Sequence, residues 1–186
     1  DAVFVDLDRD GQVDVVSSSE GSVRTMHVHW APSESQNYLL ASQWKTQVIP
    51  VTQRKQAWMF AMPMNLDGRH GVDLVVSSKG AEASVGWLQA PAEARDLDSW
   101  KYHRLADAGW IMSLIQADLN SDGLDDILFT DRRGAGRGVK WLQNPGPKLV
   151  HDPANWELHR LGGGNYEVMF MDYADFNADG TDDIAV

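Results

Sequence analysis

Residues 118–126 read DLNSDGLDD, and three related nine-residue stretches occur elsewhere in the chain. They read DLDRDGQVD (6–14), NLDGRHGVD (65–73) and DFNADGTDD (175–183). In all but the second, side chains with oxygen atoms stand at positions 1, 3, 5 and 9, and glycine stands at position 6. Alternate positions of a tight loop direct their side chains to one point, and calcium takes about six to eight oxygen ligands. The spacing therefore predicts calcium-binding loops.

Each stretch leads into a short apolar run instead of a helix. An EF-hand loop would end in glutamate at position 12, and none of the four stretches has one there. Such runs after the last aspartate are typical of strands. An ordinary Asp/Gly-rich hairpin turn is the alternative interpretation, and the recurrence of the pattern argues against it. The runs are Val13–Val16, Val72–Val76, Ile127–Phe129 and Ile184–Val186.

The second loop departs from the pattern. Arg69 stands at position 5 and His70 stands where glycine is expected. We predict that this loop holds no calcium and that Arg69 replaces the metal by pairing with Asp67 and Asp73.

The net charge of −11 is concentrated in these loops. The four stretches carry 14 Asp and two Arg, which leaves 13 acidic and 14 basic residues in the rest of the chain. Such a chain lacks the basic face of a nucleic-acid binder. It has no cysteine for disulfides or thiolate zinc sites, and we expect no membrane insertion because no apolar run reaches about 18 residues.

The loops recur at intervals of 59, 53 and 57 residues, a period typical of repeat architectures. Each repeat reads as four short strands, with first strands at 58–64, 110–117 and 167–174. The tryptophans follow the same period in three sets, which are Trp30, Trp87 and Trp141; Trp44, Trp100 and Trp156; and Trp58, Trp110 and their counterpart Tyr166. We therefore predict an all-β fold made of β-propeller blades, each with four antiparallel strands.

The predicted units are blade 1 (1–57), blade 2 (58–109), blade 3 (110–165) and half of blade 4 (166–186). About three and a half blades are fewer than the four to eight of closed propellers. We expect a fragment of a larger propeller, for which seven blades is one candidate total, completed by further blades or by another copy of the chain.

DLNSDGLDDI and DFNADGTDDI resemble the FG-GAP and VCBS repeats of calcium-loop β-propellers, as in integrin α-subunit heads. The segments V-x-W-L-Q-N-P and W-x-x-H-x-[IL] resemble the VCBS-type variant of secreted proteins. The resemblance spans the chain and implies structural calcium, with functions in adhesion, lectin-like binding or some enzymes. The implied ligands, with position 7 contributing its carbonyl, are Asp6, Asp8, Asp10, Gln12 and Asp14; Asp118, Asn120, Asp122, Leu124 and Asp126; and Asp175, Asn177, Asp179, Thr181 and Asp183.

Several other residues are candidates for a ligand site. The aromatic residues Trp58, Trp110 and Tyr166 open the inner strands, where they either stack on sugars or pack between blades. Asp172 and Tyr173 have no polar counterparts in the second repeat.

Other polar residues favour solvated or structural roles. The segment Asp131 to Arg133 is read as a solvated loop, and His27 and His29 as a solvent-facing pair. The recurrence of His103 and His159 favours a structural role.

We expect a calcium-stabilised binding module, with carbohydrate or a protein as ligand, in an extracellular, cell-surface or periplasmic location. Its sequence shows no established catalytic motif, so enzymatic activity stays undecided and disfavoured. One alternative is the propeller part of a secreted sugar lyase or dehydratase, resembling the fungal aldos-2-ulose dehydratase family. The other is a purely structural or protein-interaction repeat array.

Overall fold

The computed structural model describes residues 1–186 as an all-β chain of four antiparallel sheets. Three sheets have four strands and the last has two, and in every sheet the strands follow in chain order. This is the arrangement of successive propeller blades, which confirms the predicted fold class. The strands are β1 (Ala2–Val5), β2 (Asp14–Ser18), β3 (Met26–Trp30), β4 (Lys45–Val48), β5 (Ala57–Met64), β6 (Asp73–Lys79), β7 (Ser84–Gln89), β8 (Lys101–Asp107), β9 (Ile111–Ala117), β10 (Asp126–Asp131), β11 (Gly138–Gln143), β12 (Glu157–Gly162), β13 (Asp172–Ala174) and β14 (Asp183–Ala185).

The only helical elements are short 3₁₀ turns. None of them has the length and apolar character that a membrane-crossing helix needs. The first strand of the last sheet is shorter than predicted, since β13 covers three residues of the expected stretch 167–174. The 3₁₀ turns are Ser35–Asn37, Ala41–Gln43, Pro50–Thr52, Leu97–Ser99 and Pro153–Asn155.

The hydrophobic core lies between consecutive sheets. In β6, Leu74 and Val76 belong to the cluster between the first and second sheets, whereas Val75 belongs to the cluster between the second and third. In β10, Leu128 packs towards the fourth sheet and Phe129 towards the second. Neighbouring residues of a strand point to opposite faces. The apolar runs after the loops are therefore continuous because both faces of these strands are covered.

Tryptophan indoles close the connections between strands in a repeated way. Trp44, Trp100 and Trp156 each donate the indole N–H to the carbonyl six residues earlier, at 2.9–3.0 Å. Trp58 makes the same bond to Thr52, at 2.9 Å. Trp44, Trp100 and Trp156 therefore recur with the predicted period because each makes the same hydrogen bond in its repeat.

Trp30 does not occupy the repeat position of Trp87 and Trp141, contrary to our prediction. The residues paired with the first residue after each loop are His29, Leu88 and Leu142, so Trp30 lies two positions further along its strand than the other two indoles. A shift of two residues keeps a side chain on the same face of the sheet. The alternation of apolar residues therefore could not reveal this shift.

We predict that Phe129→Ala lowers the free energy of unfolding by about 3–5 kcal/mol, since the ring is fully buried and its removal leaves a cavity. Urea unfolding monitored by circular dichroism measures this change. Phe4→Ala is the matched control, because Phe4 is 74% exposed and its loss should change stability by less than about 0.5 kcal/mol. Equal effects of the two substitutions would contradict the position of the core.

Candidate metal centres and the cavities between blades

All four loops have the same unusual backbone conformation. The residue at position 4 has a positive φ in each loop, with values of 62° at Arg9, 68° at Gly68, 59° at Ser121 and 60° at Ala178. Position 6 is also left-handed, including His70 at φ 54°. A side chain at such a φ is uncommon. The second loop thus keeps the conformation of the others although it lacks glycine at position 6.

The third and fourth loops share one pattern of hydrogen bonds. Asp118 accepts the N–H groups of positions 5 and 6 at 3.1 and 2.9 Å, and Asp175 does so at 3.1 and 2.8 Å. Asn120 and Asn177 accept the N–H of position 5 at 3.0 and 2.8 Å. The aspartate at position 5 accepts the N–H of position 7 at 2.9 Å in both loops. The oxygen atoms at positions 1, 3 and 5 are therefore held around one loop.

The first loop brings three carboxylates together. Ligand atoms of Asp6, Asp8 and Asp14 lie within 4.8 Å of one another. Oδ2 of Asp6 accepts the N–H of Gly11 at 3.1 Å, whereas Oδ1 is buried and has no hydrogen-bond partner. Leaving a buried oxygen without a partner costs about 1–3 kcal/mol. This donor set therefore fits a bound cation.

An arginine that sequence reasoning missed lies against the first loop. Arg95 donates to Asp8 and, at 3.1 Å, to Asp10. Its guanidinium also lies 4.8 Å from the centre of the Trp30 ring. Arg95 follows β7 of the second sheet, so this contact joins the first loop to the neighbouring blade. No sequence spacing relates Arg95 to the loop.

The aspartate that ends each of the first three loops is a structural bridge. Asp14, Asp73 and Asp126 are fully buried. Each accepts the N–H of loop position 2 at 2.9–3.2 Å and the N–H of the residue that follows the third strand at 2.8 Å. Asp183 in the fourth loop is only partly buried. The aspartate at position 9 therefore ties each of these loops to its sheet, and in the first and third loops it is also a predicted calcium ligand.

Burial is the main influence on these bridging carboxyls. It raises the pKa of Asp73 to about 6, against the lowering effect of the N–H groups of Ala90 and Leu66. It also raises the pKa of Asp14 and of Asp126. A carboxylate without water around it is less stable than the protonated acid.

In the second loop, Arg69 does not take the role that we predicted. Asp67 accepts a hydrogen bond from Nε2 of Gln89 at 2.7 Å and lies 3.5 Å from Nε2 of His151. Asp73 is occupied by its two backbone N–H groups. Arg69 is exposed, so solvent outcompetes the expected ion pairs.

The aromatic candidates have three different environments. Trp58 is 2% exposed and packs edge-on against Tyr102, so for this residue packing between blades is the interpretation that holds. Tyr166 is 74% exposed. Trp110 is partly buried beneath cations, with Nζ of Lys79 4.5 Å from the ring centre and the Arg133 guanidinium 4.7 Å from it.

The remaining polar candidates are held by the fold. Asp172 is exposed and accepts the N–H of Tyr173. Tyr173 packs against the small core beside the third sheet, and burial followed by the Asp182 carboxylate raises its pKa. Asp131 is buried and pairs with Lys140 at 2.9 Å, which corrects its interpretation as part of a solvated loop.

The histidines have structural partners. His29 is hydrogen-bonded through both ring nitrogens, to Ser17 and Thr46 at 2.8 Å. Burial and then the charge of His27 lower the pKa of His29.

The recurring pair follows the repeat. His103 stacks on Trp87 with ring centres 4.6 Å apart, and His159 stacks on Trp141 at 4.3 Å. Burial is the main cause that lowers the pKa of His103, and the charges of His151 and Lys101 add to it.

Comparison with protein families matches residues 118–186 to the FG-GAP-like repeat. This stretch contains the third and fourth loops, the last three strands of the third sheet (β10 to β12) and the two strands of the fourth. The match confirms the resemblance in this part of the chain, and together with the sheets it indicates an interaction module of the β-propeller type. Comparisons with curated proteins and with solved structures gave no match.

We predict that Asp73 makes stability depend on pH. Because its folded-state pKa lies near 6 and its ordinary value is 3.8, the folded protein binds more protons between these values. The free energy of unfolding should therefore fall by about 3 kcal/mol as pH rises from 3 to 7, and level off above. Urea unfolding across this range in chelator, compared with Asp73→Asn, isolates the contribution.

Asp107→Asn is the control, because its side chain is 90% exposed and it should keep the wild-type pH profile. An unchanged slope in Asp73→Asn would show that another group causes the dependence.

Proposed function

We propose that this chain is a calcium-stabilised β-propeller module that binds a carbohydrate outside the cell or in the periplasm. Calcium would lie in the first, third and fourth loops. The second loop would hold none, because its fifth position is an arginine and Asp67 already pairs with Gln89.

The observation that carries the calcium proposal is the buried Oδ1 of Asp6. It has no protein partner, although it belongs to a group that includes Asp8 and Asp14. The third and fourth loops support it through their identical arrangement of oxygens at positions 1, 3 and 5. Carboxylates held this close repel one another unless a cation lies between them, and of these three Arg95 reaches only Asp8.

The proposed compartment follows from the affinity expected of such loops. A site with a Kd near ~10⁻⁴ M fills only where calcium is millimolar, as it is outside cells. Each site filled tenfold above its Kd would then add about 1.4 kcal/mol to stability, and three sites about 4 kcal/mol.

We predict that removing calcium with a chelator lowers the Tm by about 10 °C, since about 4 kcal/mol of linkage is lost. Calorimetric titration should find three sites in the native chain and two in Asp122→Ala. Asp125→Ala is the matched control in the same loop, because Asp125 accepts from Gln116 and stands outside the ligand pattern. A Tm that does not respond to calcium would refute the proposal.

Carbohydrate is proposed as the ligand because a cavity of the second blade has polar walls. A cavity of about 450 Å³ beside the second loop is lined mainly by hydrogen-bonding side chains, including His70, Gln89 and Ser99, and Trp100 also contributes to its wall. Small-ligand sites are commonly of this size, and hydroxyl-rich molecules need such polar partners. The competing interpretation is that the ligand is a protein. The simplest such protein would be further propeller blades or a second copy of the chain.

We predict that the calcium-loaded chain binds a subset of glycans on an array and that chelation abolishes the binding. A pull-down with the same chain tests the protein alternative. If no glycan on the array binds and the pull-down finds a stoichiometric protein partner, the carbohydrate proposal is refuted. The chain would then be a protein-interaction module.

A further inference from the structure

A second cavity lies at the end of the blades opposite to the metal loops. It has a volume of about 510 Å³ and is formed where three sheets meet. The β2–β3 connection contributes Arg24, the segment before β5 contributes Lys55, and the end of β6 contributes Lys79. Trp110 and Arg133 of the third sheet complete it.

The wall of this basic cavity is positively charged within an acidic protein. Four of its twelve lining residues are lysine or arginine, and Glu82 is the only acidic one. The chain as a whole carries −11. Charges farther away than about 10 Å are screened at physiological salt, so a small ligand here responds to the local cations.

Three cationic side chains lie over the ring of Trp110. Lys79, Arg133 and Arg132 lie 4.5, 4.7 and 5.1 Å from the centre of its ring. A cation over an indole is attracted by the electron-rich face of the ring, which offsets part of the repulsion among the three side chains. Because cations cover the ring, a neutral sugar cannot stack on it, and the sugar-stacking role expected of Trp110 gives way to that of a cation support.

Protein carboxylates neutralise this group only in part. Glu20 pairs with Lys79, and Glu167 lies 2.9 Å from Arg132 and 3.9 Å from Arg133. Asp131 is next in sequence to Arg132, but its carboxylate pairs with Lys140 and accepts the N–H groups of Gly109 and Trp110. It is therefore not available to the arginines.

The neutral part of the wall also offers donors. Gln56 is 8% exposed, and its Oε1 accepts hydrogen bonds from Ser78 and, at 2.7 Å, from Ser84. These two bonds orient the amide, and Nε2 has only the hydroxyl of Tyr102 at 3.4 Å. The wall thus contains an amide with a weakly engaged N–H group in addition to its cations.

We propose that the basic cavity binds an acidic oligosaccharide through its carboxylate or sulfate groups. This inference rests on the proposed carbohydrate function and specifies its ligand class. Charged donors bind such anions more strongly than neutral donors bind hydroxyl groups. A long nucleic acid is disfavoured because the cations are gathered in this cavity, whereas a duplex or a long strand needs a basic face that follows its phosphates.

Calorimetry with trigalacturonate and with a heparin tetrasaccharide tests the inference on the full calcium-loaded chain. At least one should bind, about tenfold more weakly in Lys79→Gln and in Arg133→Gln, and more weakly as salt is raised. Lys148→Gln removes the same charge outside the cavity and should leave binding within twofold. Trigalacturonate with its carboxylates reduced to alcohols should not bind.

Several results would overturn the inference. Equal binding of the reduced trisaccharide, or unchanged binding in Arg133→Gln, would exclude anion recognition in this cavity. Array binding restricted to neutral sugars would leave the proposed function standing and refute this inference alone. If sulfate ion or a single-stranded oligonucleotide binds and neither acidic sugar does, the assignment to a saccharide is refuted.

Discussion

The structure depends on a buried carboxylate that receives two backbone N–H groups. Asp14, Asp73 and Asp126 each join the start of a loop to the residue after the third strand. Removing these side chains from water is costly, as the raised pKa of Asp73 shows, but each carboxylate satisfies two donors that the sheet leaves open. Each of these loops is thereby fixed to its sheet, and so are the residues that carry the oxygen atoms at positions 1, 3 and 5. The second loop keeps this bridge and loses the ligand pattern, so the two roles are separable.

Packing between sheets is the next level of organisation. Since β6 and β10 are covered on both faces, neither is stable without its neighbours. Arg95 extends this dependence to the loops, because it leaves the second sheet to pair with Asp8 and Asp10 of the first. A cation arriving at the first loop would compete with this arginine. No such residue lies against the third loop, so repeats of similar sequence have different electrostatic surroundings.

Charge is divided between the two ends of the blades. The loops carry nearly all of the net negative charge, whereas the opposite end collects cations around Trp110. A single net charge of −11 conceals this division. Calcium at one end would remove much of the acidity, and the basic cavity at the other end would then be the main electrostatic feature of the surface. Under the proposals made above, the groups that stabilise the fold and those that would recognise a ligand lie at opposite ends of the blades.

The repeat, most of the strands and the turn pattern of the loops could be predicted from local sequence, because turn residues and alternating side chains act over a few positions. The second loop keeps the same conformation with His70 in place of glycine, and its Asp73 bridge to Ala90 joins residues far apart in sequence. Side chains that act across blades were not readable. Trp30 is displaced by two positions on the same face, and Arg95 rather than Arg69 reaches a loop. Asp131 is buried and pairs with Lys140. The cations around Trp110 come from two different sheets. Local sequence specifies each blade through short-range turns and alternation, whereas the neighbours of a side chain depend on how the blades pack.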